Sequence, residues 1–546
     1  MNSDLIMFYT RLLWAKEMAS IVDELVSTFV FVFILASLVL GFKRGVLKHG
    51  LHLGATLVAA AVAFFSISNF CGGIVTSFSE LNAEELKGVI ELLFVAQGQA
   101  MSPEAYEEIL PILNNIDPTG VGLILAIVVN ILFAPLLLLA IFYIIRLIAK
   151  TIVKISARFI SQETNPIEKI LGALLGVIDG VVISVIFVIP FLACLNTFSD
   201  IAVAINDSTP SKDEINDEYE YEDIELMDQI AQVFKEFSAP IEDNLVLKTV
   251  SSLGGDTILE SLATVELDGA KVDLRDELQS IVRVACKFVL IQTTVSPEGG
   301  YTDYEKEYIS GIVDEVDNST VVSNILYSVL HTYVSIEQSY LDEEIIAEEP
   351  FTSVIFDLIL NRTNATTIGD NLHTIKNVSF ILIDTGFTGD YTILLTTDEN
   401  GETILNKLVA ELENNPNTAH LPDAIAGALM AQMGMGDGKE YNAMKDSFSQ
   451  IVQIETEGKE KKEVKEEVKD TFVEMFENFD IVVGEEGDVR EEDLDTVVNF
   501  LTEELMNGNL DIPVDENGHI SNIDLMELVI NCHNYFNDSG EEVPAE

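Results

Sequence analysis

Residues 121–145 read VGLILAIVVNILFAPLLLLAIFYII, 25 consecutive residues without a charge. A helix needs about 20 apolar residues to cross the hydrocarbon of a bilayer, and buried helices of soluble proteins are rarely so uniform. The stretch predicts a transmembrane helix. Three neighbours meet the same criterion: LVSTFVFVFILASLVLGF (25–42), LHLGATLVAAAVAFFSISNF (51–70) and ILGALLGVIDGVVISVIFVIPFLACL (170–195). The expected fold class is an all-α membrane protein, a bundle of four transmembrane helices followed by a mostly helical, acidic exocytoplasmic region. Asp23 and Glu24 open the first span and no small-x-small cleavage site follows it, so it reads as a retained helix and not a signal peptide.

Charge divides the chain where hydropathy does. The 546 residues carry a net charge of −60, yet the mean hydropathy is positive. Residues 1–199 hold 11 Lys/Arg against 15 Asp/Glu, and residues 200–546 hold the remaining 19 against 75, a net of −56. Such a balance excludes nucleic-acid binding through a broad basic surface. It favours a strongly solvated region with affinity for cations or cationic partners. Cys71, Cys194, Cys286 and Cys532 are too sparse for a disulfide framework.

Lys and Arg are retained on the cytoplasmic side of membrane proteins. The connection after the first span carries Lys43, Arg44 and Lys48, and the one after the third carries Arg146, Lys150, Lys154, Arg158 and Lys169. The 71–120 connection has Lys87 against eight carboxylates. Both basic connections are therefore expected to face the cytoplasm, and both termini and the acidic domain the outside. Lys43, Arg44 and Lys48 are placed to contact anionic lipid headgroups. The 1–20, 79–98 and 102–115 segments read as short amphipathic helices at the bundle's outer surface.

Within the fourth span, Gly172, Gly176 and Gly180 fall four apart, a face on which another helix backbone can approach closely. The alanine-rich second span is the expected partner. Asp179 lies nine residues into that span, about 13 Å from its start at 1.5 Å per residue. A bare carboxylate there costs at least a few kcal/mol, so it is expected to pair, with Arg146 the nearest partner by depth. Two readings stay open for Asp179: a proton or cation relay or latch, and a structural ion pair. His49 and His52 share a helical face, but no third metal ligand accompanies them, and they read as interfacial.

The stretch GFKRGVLKHGLHLGATLVAAAVAFF (41–65) resembles the start of the colicin V production family, with Gly41, Arg44 and Gly45 at the positions of that family's turn between its first two spans. EKILGALLGVIDGVVISVIFV (168–188) resembles its last span. The resemblance covers residues 1–199. It implies a bacterial cytoplasmic (inner) membrane protein linked genetically to toxin production or export, and it implies no particular chemical mechanism. At Asp179 the chain departs from the family, which more often carries a basic residue just before the last glycine.

Beyond the membrane domain (1–199), residues 200–226 read as an acidic linker extended by self-repulsion. Residues 227–445 read as a helical exocytoplasmic domain, with NVSFILIDTGF (377–387) and YTILLTT (391–397) as its strand-like runs. Residues 446–546 form a C-terminal helical subdomain whose turns at Gly487 and Gly518 align as a degenerate EF-hand-like pair. Val482 and Pro513 stand where an EF-hand loop needs its first acid, so the expected reading is a turn whose helix is capped by acids at its N-terminus; Asp515, Asn517 and Asp524 remain, which leaves weak Ca²⁺ binding as the alternative. No metal or cofactor site is otherwise indicated, and no GxSxG, HExxH, P-loop or dinucleotide motif is present. The leading expectation is a non-enzymatic factor for toxin secretion or envelope homeostasis, working with an envelope or secretion protein. The alternative is a small transporter or channel component with Asp179 in its pathway.

Overall fold

At Gly45 the backbone takes φ 72° and ψ 173°, a region that essentially only glycine occupies. This one residue interrupts the first helix of the computed structural model, α1 (Ser3–Ser79), and divides it into arms of residues 3–44 and 46–79. The structure describes residues 3–79, 118–156, 165–210, 221–267, 270–293, 301–340, 350–386, 393, 396, 403–423, 426, 439–478, 482–484, 489–510 and 512–539. The segments 80–98 and 102–115 lie outside the described residues. The N-terminal stretch, expected as a separate helix, is continuous with the first span.

Two more long helices follow, α2 (Pro118–Ser156) and α3 (Pro166–Ser208). Pro166 starts α3 at the position where a missing N–H costs nothing. Among the described residues, three helices are long and apolar enough to cross a membrane, over residues 10–77, 122–156 and 166–208. α3 has 43 residues, about 65 Å at 1.5 Å per residue, roughly twice a hydrocarbon core.

Small residues set how these helices meet. A Cβ added at Gly172 would lie 2.5 Å from the Gly41 carbonyl oxygen and 2.7 Å from the Gly45 carbonyl carbon. One added at Gly180 would lie 2.8 Å from the Ile34 Cα, and Gly176 lies against the Ser37 backbone. The glycine face of α3 therefore packs on the first arm of α1, not on the alanine-rich second arm. The first arm presents its own small residues, Ser37, Gly41 and Gly45, at a four-residue spacing that lets the two backbones touch. The second arm instead meets α2: Arg146 Nε donates to Thr56 Oγ1 at 3.2 Å and Asn130 Nδ2 to the Cys71 carbonyl at 3.3 Å.

After α3 come α4 (Tyr221–Ser238), α5 (Pro240–Asp243), α6 (Leu245–Val250) and α7 (Asp256–Ala263). An antiparallel hairpin follows, β1 (Thr264–Leu267) with β2 (Ala270–Asp273), and then α8 (Leu274–Thr293), α9 (Asp303–Asn318) and α10 (Thr320–Tyr340). The chain divides into two compact units, Met1–Thr332 and Tyr333–Glu546, so the division falls inside the stretch expected as one 227–445 domain. The expected 200–226 linker is helical up to Ser208 and again from Tyr221. The cause is visible in α3, where Ala202, Ala204 and Ile205 prolong the buried face past the span. Asp200 is held by Arg275, at 2.7 Å from Nε and 2.6 Å from Nη2. Leu247, Leu259, Leu274 and Val321 share one apolar core with Val26, Ala63 and Leu192 of the long helices.

On the N-terminal part of α1, Trp14 packs against Phe237 with ring centroids 5.9 Å apart, and Lys16 pairs with Glu236 at 3.3 Å. Asn244 donates to Ser27 Oγ at 2.9 Å while its own oxygen caps α6 through the amides of Val246 and Leu247. Glu277, buried in α8, accepts from the amides of Thr320 and Val321 at 3.2 and 3.0 Å and so caps α10.

The second unit contains α11 (Pro350–Asn361), α12 (Ile368–Asp384), α13 (Ile404–Glu413), α14 (Lys439–Val452), α15 (Lys461–Asn478), α16 (Glu491–Asn507) and α17 (Asn522–Ser539). The expected strand at 377–387 is instead the end of α12. Its Val378, Ile381 and Leu382 recur at helical spacing against a core built from Phe448, Val468, Phe472, Val498, Leu501 and Leu525. Of the run 391–397 only residues 393 and 396 are described.

Candidate functional site

Asp179 precedes the last glycine of the α3 face, so the helix that presses Gly180 against Ile34 turns Asp179 toward its other neighbours. Its residue is 4% exposed. The Asp179 Oδ2 lies 3.3 Å from Arg146 Nη2 of α2 and 3.9 Å from His49 Nε2 of α1. Arg146, 8% exposed, uses its Nε for Thr56, and Thr56 Oγ1 donates back to the His52 carbonyl at 3.1 Å. One guanidinium thus ties α3 to the second arm of α1. The Phe142 ring, one turn earlier in α2, lies under it at 5.8 Å.

The two histidines read as interfacial from the sequence, and the structure buries both among the helices. His49 is fully buried and His52 is 8% exposed. Because the turn at Gly45 is one residue long, residues 46–56 already belong to the second arm. His49, His52 and Thr56 recur at three- and four-residue spacing along it and face the same neighbours as Asp179. Both ring nitrogens of His49, Nδ1 of His52 and Oδ1 of Asp179 are buried without a hydrogen-bond partner among the described residues. Arg44, at the end of the first arm, and Lys150, one turn past Arg146, are half-buried and within electrostatic reach of Asp179.

The arrangement is thus a carboxylate, two imidazoles, two guanidiniums and one lysine amine in the apolar part of the molecule. Chemically it can hold or pass a proton, because imidazole is the side chain that changes charge near neutrality and a carboxylate sits beside it. It can also act as a latch, since removing one member of a buried pair leaves an uncompensated charge. Of the sequence-derived residues, Gly41 and Gly45 meet Gly172, and Asp179 meets Arg146. His49 and His52 were singled out for their common helical face but not joined to Asp179, and Thr56 was not foreseen.

A second polar point lies further along the same helices. Pro135 has no N–H for the Ile131 carbonyl, and a cavity of about 20 Å³ opens there, lined by Asn130, Asn196, Thr197 and Arg275. Its size is that of one water molecule.

In the second unit, each EF-hand-like loop closes on itself, by bridges between Val483 and Val489 and between Val514 and Ile520. Gly487 lies outside the described residues. Asp515 Oδ1 accepts the amides of Asn517 and His519, both at 2.8 Å, and the His519 amide holds this carboxyl below the usual range. Asp524 is engaged by Ser521. Among the described residues, no three His, Cys, Asp or Glu side chains converge as a metal site.

No family model matches this chain, and neither a curated protein nor a solved structure matches it.

Proposed function

We propose that this chain is a non-enzymatic, multi-pass membrane protein of the colicin V production type, serving toxin export or envelope homeostasis from a bacterial cytoplasmic membrane. The observation that carries the reading is the contact between the two stretches of family resemblance. Gly41 and Gly45 of the first lie directly against Gly172 of the second, so the residues that carry the likeness are the ones that build the bundle. Four crossings are part of the proposal. Contacts between the first arm and α3 run in opposite chain order, from Gly41 with Gly172 to Phe29 with Phe187. So do those between the second arm and α2, from Thr56 with Arg146 to Cys71 with Asn130. Loop charge then sets both termini and the acidic region outside, where that region recruits an envelope or secretion protein.

The test has two arms. Protease added to intact cells removes the 200–546 region and leaves the remainder protected; a protected acidic region refutes the topology. In a toxin-exporting host, Gly172→Leu lowers export to the level of a deletion; export indifferent to the deletion refutes the role.

A second reading, a proton-linked transport component, is favoured by the burial of His49 and His52 beside Asp179. In liposomes with a trapped pH dye, acid-driven flux through the parent and its loss in Asp179→Asn support it. Flux absent from the parent, or equal in the variant, removes it.

A further inference from the structure

The charges around Asp179 do not balance. Arg44, Arg146 and Lys150 bring three cationic groups together, while among the described residues the one carboxylate that acts on all of them is Asp179. That carboxylate already contacts Arg146 and His49. With the imidazoles neutral, two positive charges are left over. Arg44 and Lys150 carry this surplus, and they come from different segments, the end of the first arm of α1 and the end of α2. Burying even part of an uncompensated charge is costly, so the surplus calls for an anion.

The surroundings say what kind. Next to Arg44 the chain turns Phe42 and Leu47 outward, and next to Lys150 it turns Leu147, Ile148 and Ile152 outward, with Leu47 66% and Leu147 70% exposed. A soluble anion gains nothing from such a rim. A lipid gains twice, from phosphate against the cations and from acyl chains along the apolar side chains.

We infer that Arg44 and Lys150 form a binding site for the headgroup of an anionic phospholipid, and that the two surplus charges favour a headgroup bearing two negative charges over one bearing a single charge. The site rests on the membrane reading above but not on the role in export or proton transfer. It differs from diffuse attraction to a basic surface, because Arg44 and Lys150 are half-buried whereas Lys43, one residue from Arg44, is exposed.

The test uses the purified full chain in detergent and in vesicles. Thermal stability is measured with phosphatidylcholine alone, with a monoanionic or a dianionic phospholipid added at equal total lipid charge, and with inorganic phosphate. The expected result is a dianionic lipid bound at least tenfold more tightly than phosphatidylcholine and more tightly than the monoanionic lipid. That preference falls about tenfold in the Arg44→Gln/Lys150→Gln double variant and is retained in Lys43→Gln. Equal binding of all lipids, or equal losses in Lys43→Gln and the double variant, overturns the proposal. Equal stabilisation by inorganic phosphate overturns the lipid as the source of the anion. Should the double variant not fold, the ranking of lipids on the parent chain decides alone. Failure of the chain to float with any vesicle refutes the membrane reading itself, an outcome distinct from insertion without lipid preference.

Discussion

Gly172→Ala adds one methyl group, and its cost follows from what that methyl meets. The new Cβ would lie 2.5 Å from the Gly41 oxygen and 2.9 Å from the Gly45 Cα. Ordinary contact begins near 3.4 Å, so α3 and the first arm must part by about 0.9 Å. Both neighbours are backbone, and neither can rotate aside. Overpacking of this kind costs about 1–3 kcal/mol, with the upper end apt for two rigid neighbours. A 0.5–1 Å gap also forfeits a quarter to a half of each dispersion contact, which spreads the loss to Gly176 and Gly180. Against this, alanine is a better helix former than glycine by about 1 kcal/mol. The net destabilisation is about 2 kcal/mol, or roughly 30-fold in the unfolding equilibrium. Gly54→Ala is the control, for nothing lies within 4 Å of a Cβ there, and the same propensity gain of up to about 1 kcal/mol acts alone. Unfolding in mixed micelles with rising dodecyl sulfate, read by Trp14 fluorescence, compares the two. If Gly172→Ala is as stable as the parent, or both variants shift alike, the reasoning about the glycine face is refuted.

Asp179→Leu or Arg146→Leu alone should cost about 3–5 kcal/mol by stranding a buried charge, while the double variant should cost far less than the two together; additive losses in the same micelle titration would argue against a coupled pair. Burial pushes the Cys532 thiol up to about 12, which leaves about one molecule in ten thousand as thiolate at pH 8. Iodoacetamide at that pH should therefore label Cys532 only after unfolding, as mass spectrometry would show. Burial, outweighing the hydrogen bonds from Ser319, Val321 and Thr320, holds the Glu277 carboxyl above its ordinary value. The protonated acid is thus favoured in the folded state, and this group's contribution is fully present below the unfolded value and lost as pH rises through the folded one. Glu277→Gln should flatten that part of the stability–pH curve, measured by thermal unfolding between pH 4 and 7.

The long apolar helices were legible because length and apolarity are both written in single residues. The face made by Gly172, Gly176 and Gly180 was legible for the same reason, but its partner was not. Spacing reveals that a face exists without saying what it meets, and alanines at 55, 59 and 63 compete on equal terms with Ser37, Gly41 and Gly45. The deciding signal was the shared four-residue step of the two small-residue rows. The burial of His49 and His52 was not legible, because Lys43, Arg44 and Lys48 beside them mark a polar connection, whereas the connection between the arms is Gly45 alone. At 377–387, β-branched and aromatic residues gave a strand-like composition, while the packed positions Val378, Ile381 and Leu382 carried the helical period. The continuation of α3 beyond the span was hidden by acid density, which describes solvent exposure and not backbone conformation.

The conformation of Gly45 has a consequence for parity. An uninterrupted α1 would be a rod of 77 residues, about 115 Å long, and it would cross a bilayer once. In the four-crossing topology proposed above, the break lets the same residues cross twice. In that topology every later segment owes its side of the membrane to this glycine. A side chain at position 45 would do more than strain a turn, since by favouring the unbroken rod it would exchange inside for outside along the rest of the chain. The delivery of the whole acidic region to its proper compartment would then depend on the absence of one methyl group.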